Sequence, residues 1–446
     1  MIYVRGILGI AALLFIAFLF SKNRSAINWR LVGAGVTIQL VAGVLILKVP
    51  FVKKIFNQIS EAFVKFLSFS QQGAEFLFGG LVDTSSFGYI FAFQVLPTII
   101  FFSTVTAGLY YLGILQKVVY GIAWIMARTM RLSGAESLSA AGNIFLGQTE
   151  APLLVRPYIA GMTLSEIMCL MTGGMATIAG GVLGGYVAFL GGDNPAEQTR
   201  FAAYLLSASI MNAPAAIVIA KILVPETQPD AIRQELNVSG ENLGVNVIDA
   251  LSRGAAEGLK LALNVGGMLL AFIAVIAAIN YFLSGVVGEF LGLNAFVVRT
   301  TNGAFDGFSL EYLLGQLFRG FAFIMGVDWN QTLQVGSLLG QKTVINEFVA
   351  YLDLSKMKAE GALSGRALVI ATYALCGFSN FSSIAIQIGG IGSLAPNQQG
   401  NLSKLGLWAL MAATFACMMT ATIAGMLACY YAFTTLSSFS ACSTDS

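Results

Sequence analysis

Long apolar segments recur along the whole chain, and they constrain its fold more than any other feature of the sequence. A helix needs about 20 apolar residues to cross the hydrocarbon core of a bilayer. In lipid every backbone amide must find a partner within the protein, and a helix meets this requirement inside one segment. Only 10% of the residues are charged, whereas a soluble domain carries about a quarter. The sequence therefore predicts an all-α polytopic membrane protein.

Eight transmembrane helices are predicted from these apolar segments. The first segment follows Arg5 and lacks a small-residue cleavage site at its end, so we expect a retained helix and not a removed signal peptide. A further helix at 52–68, which contains Lys53 and Lys54, is predicted to lie along the membrane interface. The predicted transmembrane helices cover residues 4–21, 31–48, 88–114, 166–190, 200–222, 260–284, 366–391 and 405–433.

Basic residues in the short loops predict the orientation, because such residues accumulate on the cytoplasmic side of a membrane. Lys22, Arg24 and Arg30 lie between the first two predicted helices, and Lys404 precedes the last one. These loops are expected inside, together with the long polar connection 225–254, and both termini are then expected outside the cytoplasm. The lysines next to and within the interfacial helix fall on the outer side and count against this scheme.

Two segments, 133–163 and 329–353, are interrupted too often by glycine and polar residues to form simple spanning helices. Irregular chain at membrane depth is tolerated only where it is buried in protein or lines a wet cavity. We therefore expect each segment to form a re-entrant helical hairpin. The order of hairpin, interrupted helix and helix occurs twice, which indicates an inverted-repeat transporter with its site at the bilayer midplane. Glu150 and Glu347, one from each hairpin, are expected to face that site.

Four regions follow from this pattern. Residues 1–132 are predicted to hold the N-terminal scaffold helices and the interfacial helix, and 133–222 the first repeat. Residues 223–328 are expected to contain the cytoplasmic loop, a scaffold helix and an interfacial segment, and 329–446 the second repeat.

Several classes of function are excluded by residues that the chain lacks. It has no histidine and no CxxC pair, so zinc, haem and disulfide frameworks have no ligand set, and triad enzymes lack their base. No GxxxxGK[ST] loop is present for an ATP-driven pump. The net charge of +2 comes from scattered basic residues and does not indicate nucleic-acid binding. We expect no enzyme, no cofactor and packing roles for the cysteines, which are Cys169, Cys376, Cys417, Cys429 and Cys442.

Three motifs carry a resemblance to a known family. GQTEAPLLVRPY (147–158), NEFVAY (346–351) and CGFSNFSSIAI (376–386) resemble the signature segments of the concentrative nucleoside transporter family, in its order and spacing. The resemblance extends over most of the chain. It implies a multi-pass protein of the bacterial inner membrane that assembles as a homotrimer. It also implies import of nucleosides with sodium or protons.

The resemblance assigns the nucleobase to the first hairpin and the ribose to the second. An amide, a hydroxyl and a carboxylate can match the donors and acceptors of a base edge. A ribose hydroxyl that donates to a buried carboxylate forms a charge-assisted hydrogen bond. The positions that match the nucleobase ligands are Gln148, Thr149, Glu150 and Val182, those that match the ribose ligands are Glu347, Asn380 and Ser383, and Phe378 matches an aromatic neighbour.

A sodium site is implied beside the substrate. The side chains of Asn143 and Thr177 and the backbone carbonyls of Leu146 and Ile178 match the ligands, and such a shell of oxygens suits an alkali cation. Threonine stands where the family often has serine, and it keeps the hydroxyl group. Proton-coupled relatives tend to lack the asparagine, which favours sodium. Asn143 could alternatively cap an interrupted helix.

The expected function is therefore secondary active import of nucleosides, with uridine as a substrate, by symport with sodium and alternating access around a mid-membrane site. A proton-coupled nucleoside symporter is the alternative. A nucleoside-binding receptor or a channel is less favoured, because we find no cytoplasmic signalling domain. The polar residues also gather at mid-membrane and do not line one helix along its length.

Overall fold

The computed structural model describes residues 2–88, 90–236 and 244–428, and all regular structure within these ranges is helical. Part of the connection 225–254, the end of the predicted helix 405–433, Cys429, Cys442 and the C-terminal tail lie outside the described residues. The longer α-helices are labelled in chain order as α1 (Ile2–Leu19), α2 (Trp29–Lys48), α3 (Pro50–Phe78), α4 (Leu96–Tyr111), α5 (Ile114–Met130), α6 (Gly134–Gly142), α7 (Leu164–Ala176), α8 (Gly180–Gly191), α9 (Pro195–Leu223), α10 (Val247–Asn280), α11 (Leu293–Thr300), α12 (Leu310–Ile324), α13 (Thr332–Val344), α14 (Glu347–Ala359), α15 (Gly365–Leu375), α16 (Phe381–Leu394) and α17 (Gln399–Leu427).

The eight predicted transmembrane helices are all present in the described part of the chain. Seven helical segments there are long and apolar enough to cross a membrane, and the eighth consists of the two shorter apolar helices α15 and α16. The seven segments are Ile2–Leu19, Trp29–Lys48, Phe91–Tyr111, Leu164–Gly191, Pro195–Leu223, Val247–Gly288 and Pro396–Leu427. The prediction of an all-α polytopic membrane fold is thereby confirmed.

Several predicted boundaries differ from the structure. Helix α10 begins at Val247, within the connection that we predicted at 225–254. The Asn246 side chain caps its first turn by accepting a hydrogen bond from the Asp249 amide. Gly254 and Gly258 then lie against the backbone of α4, where a β-carbon would approach main-chain atoms to 2.8 Å. The helix starts early because this close packing stabilises a turn too polar to be recognised as spanning.

The interfacial region is more helical than the sequence predicted. Helix α3 is amphipathic and extends from Pro50 to Phe78, well past the predicted end at residue 68, because no proline follows Pro50 within this range and the single glycine at position 73 does not interrupt the helix. Gly79 ends the helix with a positive φ of 57°, a conformation that glycine adopts without strain. Helix α5 was not predicted at all, since its polar residues interrupt the apolar run.

Both predicted hairpins are present, and each has a tip made of irregular chain. Hairpin 1 consists of α6, a tip at residues 143–150, and a return through the 3-10 turn Ala151–Val155. Hairpin 2 consists of α13, a tip at residues 345–346, and α14. Reciprocal capping between Ser133 and Glu136 starts hairpin 1, because this S-x-x-E pattern satisfies two free backbone amides.

The helix that follows each hairpin is interrupted near its middle. The chain between α7 and α8 is unwound at residues 177–179, and the chain between α15 and α16 at residues 376–380. Each interrupted helix is followed by an uninterrupted one, α9 in the first repeat and α17 in the second. Helices α9 and α17 pack against each other, and both contact α7 and α15.

These elements form the centre of the molecule. The most apolar part of Leu164–Gly191 is completely buried, whereas only 17% of the most apolar part of Val247–Gly288 is buried. The buried Lys221 at the end of α9 forms an ion pair of 2.5 Å with Glu136 of hairpin 1. The same ammonium donates to the Ser165 hydroxyl at the start of α7. The Lys221 ammonium therefore joins hairpin 1, α7 and α9 at one end of the first repeat.

The two interrupted helices cross at their unwound segments. The Phe378 amide donates to the Thr177 carbonyl oxygen at 3.3 Å, which joins the two breaks through the main chain. Gly377 lies at the closest approach, where a β-carbon would stand 2.7 Å from the Ala176 carbonyl oxygen and 2.7 Å from the Cys417 sulfur. Only glycine fits this crossing without displacing main-chain atoms.

We expect Gly377→Ala to destabilise the protein by about 1–3 kcal/mol, because the added methyl group forces the two unwound segments apart. The measurement is the thermal unfolding midpoint of purified protein in detergent. Gly389→Ala in α16 is the matched control, because nothing lies within 4 Å of its β-carbon position. This control should be neutral or slightly stabilising. Equal midpoints for the two variants would contradict the close crossing.

Candidate functional site

A buried carboxylate at the tip of hairpin 2 forms the centre of the site. Glu347 is the first residue of α14 and is 2% exposed. The Tyr186 hydroxyl donates to one of its carboxylate oxygens at 2.9 Å, and the Asn380 amide donates to the other at 2.8 Å. A helix N-terminus favours a negative charge, so the backbone of α14 adds to these two hydrogen bonds. Three separate elements therefore stabilise the Glu347 carboxylate.

Asparagine residues set the geometry around this carboxylate by capping helices. Asn346 precedes Glu347, and its side-chain oxygen accepts from the Val349 amide at 3.0 Å, which starts α14. Asn380 starts α16 in the same way, since its side-chain oxygen accepts from the Ser383 amide at 2.8 Å. The capping bond fixes the orientation of the Asn380 side chain and directs its NH2 group to Glu347. One residue thus ends the break and holds the carboxylate.

The tip of hairpin 1 contributes the polar residues of the first repeat. The Gly147 amide donates to the Glu150 carboxylate at 2.9 Å, which closes the tip on itself. Thr149 is exposed, and its methyl group lies beside Gly390 of α16. The Gln148 amide donates to the Ser383 hydroxyl at 3.1 Å. Hairpin 1 therefore contacts α16, the helix whose cap binds Glu347.

Two contacting residues were missed by the sequence analysis. Gln387 is completely buried and donates to the Gln148 side-chain oxygen at 3.2 Å and to the Met171 carbonyl oxygen at 3.1 Å. Tyr186 is the second, through its hydrogen bond to Glu347. Each lies four residues after a predicted site residue on the same helix face, Gln387 after Ser383 and Tyr186 after Val182. That spacing is the signal that could have identified them.

Aromatic rings enclose the Glu347 side of the site. The Tyr186 ring stacks on that of Tyr351 with a centroid distance of 4.4 Å, and it meets the Phe348 ring edge-on at 5.0 Å. Val182, one turn before Tyr186 in α8, is buried. Phe378 is half-buried in the second break. The carboxylate thus lies in a largely apolar enclosure in which its hydrogen bonds are strong.

Two of the residues predicted to hold a cation, Asn143 and Thr177, lie beside Gly173 near the end of α7. The Thr177 hydroxyl donates to the Gly173 carbonyl oxygen at 2.9 Å. The Asn143 amide nitrogen lies 3.0 Å from the position that a Gly173 β-carbon would occupy. The Asn143 side-chain oxygen is buried and has no hydrogen-bond partner among the described residues. Leu146 and Ile178 are also buried, at the hairpin tip and at the break.

Such a set of groups fits a monovalent cation. A buried oxygen without a partner is costly unless a donor, a water or an ion satisfies it. The Asn143 oxygen, the Thr177 hydroxyl and nearby main-chain carbonyls are neutral hard oxygens, and alkali cations bind oxygens of this kind. The residues present are therefore chemically suited to the sodium site that the sequence predicts.

Asn212 and Cys417 hold the two breaks together from the two long helices. The Asn212 amide donates to the carbonyl oxygens of Ala176 and Cys376, at 2.7 Å and 2.8 Å. The Cys417 thiol also approaches both oxygens, at 3.5 Å and 3.3 Å. Because these carbonyls end α7 and α15, their oxygens have lost their helical partners. Neither residue was predicted as part of the site.

The chain is similar to known families of membrane transporters. The chain matches three family models: "Na+ dependent nucleoside transporter N-terminus" over residues 8–81, "Nucleoside recognition" over 92–193, and "Na+ dependent nucleoside transporter C-terminus" over 204–425. The "Uncharacterized transporter YutK" of Bacillus subtilis is 42% identical over 422 residues, which cover 94% of this chain and 98% of that protein. "Sodium/nucleoside cotransporter 1" of Rattus norvegicus is 41% identical over 435 residues, which cover 94% of this chain and 63% of that protein.

Solved structures with a similar fold are known as well. CNTnw in an inward-facing substrate-bound state superposes with a TM-score of 0.85 at 40% identity, covering 96% of this chain and 98% of that chain. A variant of CNTnw in an outward-facing state superposes with a TM-score of 0.84 at 39% identity, with the same coverage. The same fold is thus known in two conformations.

The crossing of the two breaks generates a prediction of its own. Asn212→Ala removes the amide that bonds two buried carbonyl oxygens. The Cys417 thiol has one hydrogen and can serve only one of them, so we expect a loss of about 1–3 kcal/mol for the oxygen left unsatisfied. Ser379→Ala is a control in the second break, because the Ser379 hydroxyl is buried without a partner among the described residues. The measurement is again the unfolding midpoint in detergent. If Asn212→Ala unfolds no earlier than Ser379→Ala, the Asn212 bonds do not hold the crossing.

Proposed function

The chain belongs to the Na+-dependent nucleoside transporter family, and we propose that it imports nucleosides, with uridine as a substrate, by symport with sodium. Members of this family are transporters and not enzymes. The observation that carries the proposal is the meeting of the two hairpin tips around α16. There Gln148 contacts Ser383, and Asn380 binds Glu347. Polar groups of both repeats thus converge on one site deep in a membrane protein.

The first repeat is proposed to bind the nucleobase. Uracil presents an N–H donor flanked by carbonyl acceptors, and a side-chain amide offers the complementary pair. In this structure the Gln148 side chain is hydrogen-bonded to Ser383 and Gln387. A bound base would replace these two partners of Gln148, and the Gln148 amide would remain buried and hydrogen-bonded. Thr149 and Glu150 lie beside it at the tip, and Val182 supplies an apolar surface.

The second repeat is proposed to bind the ribose. Glu347 accepts hydrogen bonds from Tyr186 and Asn380, and each of its oxygens has a further lone pair for a ribose hydroxyl. Ser383 offers a hydroxyl at the junction of the two halves, and Phe378 is proposed as the aromatic neighbour. A nucleoside that spans this junction would contact both repeats, which is what alternating access around one site requires.

Sodium is proposed to bind beside the base through the Asn143 and Thr177 side chains and the carbonyls of Leu146 and Ile178. The unpartnered Asn143 oxygen and its position next to Gly173 support this assignment. The ion would then bridge the start of the hairpin 1 tip and the break after α7. Because the same tip carries Gln148, an ion that orders it favours nucleoside binding, and the coupling is reciprocal.

Movement is proposed to occur between a central unit and a scaffold. The hairpins and interrupted helices would travel as the central unit against α10 and its neighbours, in keeping with the inward-facing and outward-facing states of CNTnw. This division corresponds to the repeats at 133–222 and 329–446 and the scaffold regions at 1–132 and 223–328. The protein is a multi-pass protein of the inner membrane. Both termini outside the cytoplasm and a homotrimeric assembly are part of the proposal.

The decisive experiment is uptake of radiolabelled uridine into proteoliposomes. One arm has an inward sodium gradient, and the other has an inward proton gradient without sodium. We expect accumulation with sodium only. Accumulation with protons only would retain a nucleoside transporter and overturn the sodium site. Absence of uptake in both arms, in liposomes shown to hold folded protein, would overturn the proposed substrate.

Asn143→Ala should raise the sodium concentration needed for half-maximal uptake by about tenfold or more, because one ion ligand worth about 1.4 kcal/mol or more is lost. Uptake at saturating sodium should recover. The measurement is initial uridine uptake as a function of sodium concentration. Asn23→Ala, in the exposed loop before α2, serves as the control. A wild-type sodium curve for Asn143→Ala would remove Asn143 from the ion site.

Tyr186→Phe should weaken nucleoside binding by about 10- to 100-fold, because it removes a hydrogen bond of about 1.5–3 kcal/mol to the Glu347 carboxylate. The effect should appear in KM for the nucleoside. Tyr351→Phe is the matched control, because Tyr351 stacks on Tyr186 but donates to the Thr372 carbonyl oxygen instead of Glu347. An equal change of KM in both variants would show that Tyr186 acts through packing alone.

A further inference from the structure

Lys342 is a charged residue that the proposed transport site does not use. It lies in the last turn of α13, next to the tip of hairpin 2, and is 1% exposed. Its ammonium forms no ion pair with a carboxylate of the described residues and donates to the Ala374 carbonyl oxygen at 2.8 Å. A lysine is rarely buried to this extent, because removing the ammonium from water is unfavourable. Burial of the Lys342 ammonium must therefore be compensated by interactions within the protein.

The partner of Lys342 shows what this cation does. Ala374 belongs to the last turn of α15, which ends at Leu375 where the second interrupted helix unwinds. The last carbonyls of a helix lack helical partners and carry the negative end of its dipole. The ammonium thus satisfies this helix end from within the protein. Its positive charge also acts on the Glu347 carboxylate, which begins the other arm of the same hairpin.

The corresponding helix end in the first repeat is served by neutral groups. Helix α7 ends at Ala176, whose carbonyl oxygen accepts from the Asn212 amide. One turn earlier the Thr177 hydroxyl bonds the Gly173 carbonyl oxygen, and Asn143 presents its unpartnered oxygen nearby. The two repeats have the same order of elements, but among the described residues a side-chain cation donates to the helix end in the second repeat and a neutral amide in the first.

We propose that Lys342 is a tethered cation that does for the second repeat what sodium does for the first. This inference rests on the proposed sodium symport. The ammonium orders the tip of hairpin 2 and offsets the charge of Glu347, so the ribose half of the site is formed without an ion. Sodium then acts only on hairpin 1 and the break after α7. Sodium binding is therefore coupled to nucleoside binding only through the nucleobase half of the site. The response of uptake to sodium is non-cooperative.

Hydrogen exchange of the wild-type protein tests this asymmetry directly. Amide exchange is compared in sodium chloride and in choline chloride, without nucleoside. We expect sodium to slow exchange in segments 142–150 and 173–180 and to leave segments 342–350 and 374–382 unchanged. Equal protection of both pairs of segments would overturn the inference. Protection of neither pair would instead count against the proposed sodium site.

Substitution of Lys342 gives the second test. In Lys342→Met the carbonyl end of α15 loses its cation, and we expect nucleoside affinity at low sodium to fall about tenfold or more, the loss of one charge-assisted hydrogen bond. A second sodium ion can now bind the Ala374 carbonyl oxygen that the ammonium has left. The sodium dependence of uptake should therefore become cooperative, and nucleoside affinity should recover at high sodium. Lys342→Arg keeps the charge and should keep the non-cooperative curve.

Lys404→Met, which removes an exposed lysine, is the control for loss of a positive charge elsewhere. A wild-type sodium curve and affinity in Lys342→Met would overturn the tethered cation while leaving sodium-driven uptake intact. A cooperative sodium curve in the wild-type protein would overturn it as well. If Lys342→Met does not fold, the exchange experiment on the wild-type protein and the Lys342→Arg curve decide the question.

Discussion

Two helices are interrupted at the centre of the molecule, and the structure depends on how the free polar groups at these interruptions are satisfied. A helix end exposes carbonyl oxygens that lipid cannot bond. At the crossing of the breaks, the Ala176 and Cys376 oxygens are shared by the Asn212 amide and the Cys417 thiol. Glycine at position 377 permits the approach that this sharing requires. The two breaks are thus joined through partners that they share.

The same interruptions create the proposed binding site. Each break frees a helix N-terminus as well as a C-terminus, and the free N-terminus of α16 is capped by Asn380. The capping geometry directs the Asn380 amide to Glu347, which itself begins a helix at the tip of hairpin 2. Polar groups that would be unfavourable in lipid are placed where a polar solute can bind. The breaks in the two helices therefore account both for the fold of the central region and for the polar groups of the proposed site.

Much of the fold could be predicted from the sequence, because hydrophobic length and helix-breaking residues are local signals. All eight transmembrane helices and both hairpins were expected at about their observed positions. The errors occurred where packing overrides composition. Helix α10 begins in a polar stretch because Gly254 and Gly258 pack against α4, and α5 is helical although its polar residues interrupt the apolar pattern. Such stabilisation comes from neighbours distant in the sequence, which a local window does not include.

For the site, the sequence by itself determined which residues interrupt the apolar segments, and hence that Glu150 and Glu347 lie at the two hairpin tips. The family motifs added the set of predicted ligands, whose roles stay predictions. Only the tertiary structure decided the partners: Tyr186 on Glu347, Gln387 on Gln148, Asn212 on both breaks, and Lys342 on the end of α15. The Tyr186–Glu347, Gln387–Gln148 and Asn212–Cys376 contacts join residues more than 160 positions apart. The Asn212–Ala176 and Lys342–Ala374 contacts join residues 36 and 32 positions apart on different helices. Periodicity reports which face of a helix is apolar, but the identity of the group opposite a buried polar atom depends on how the helices cross.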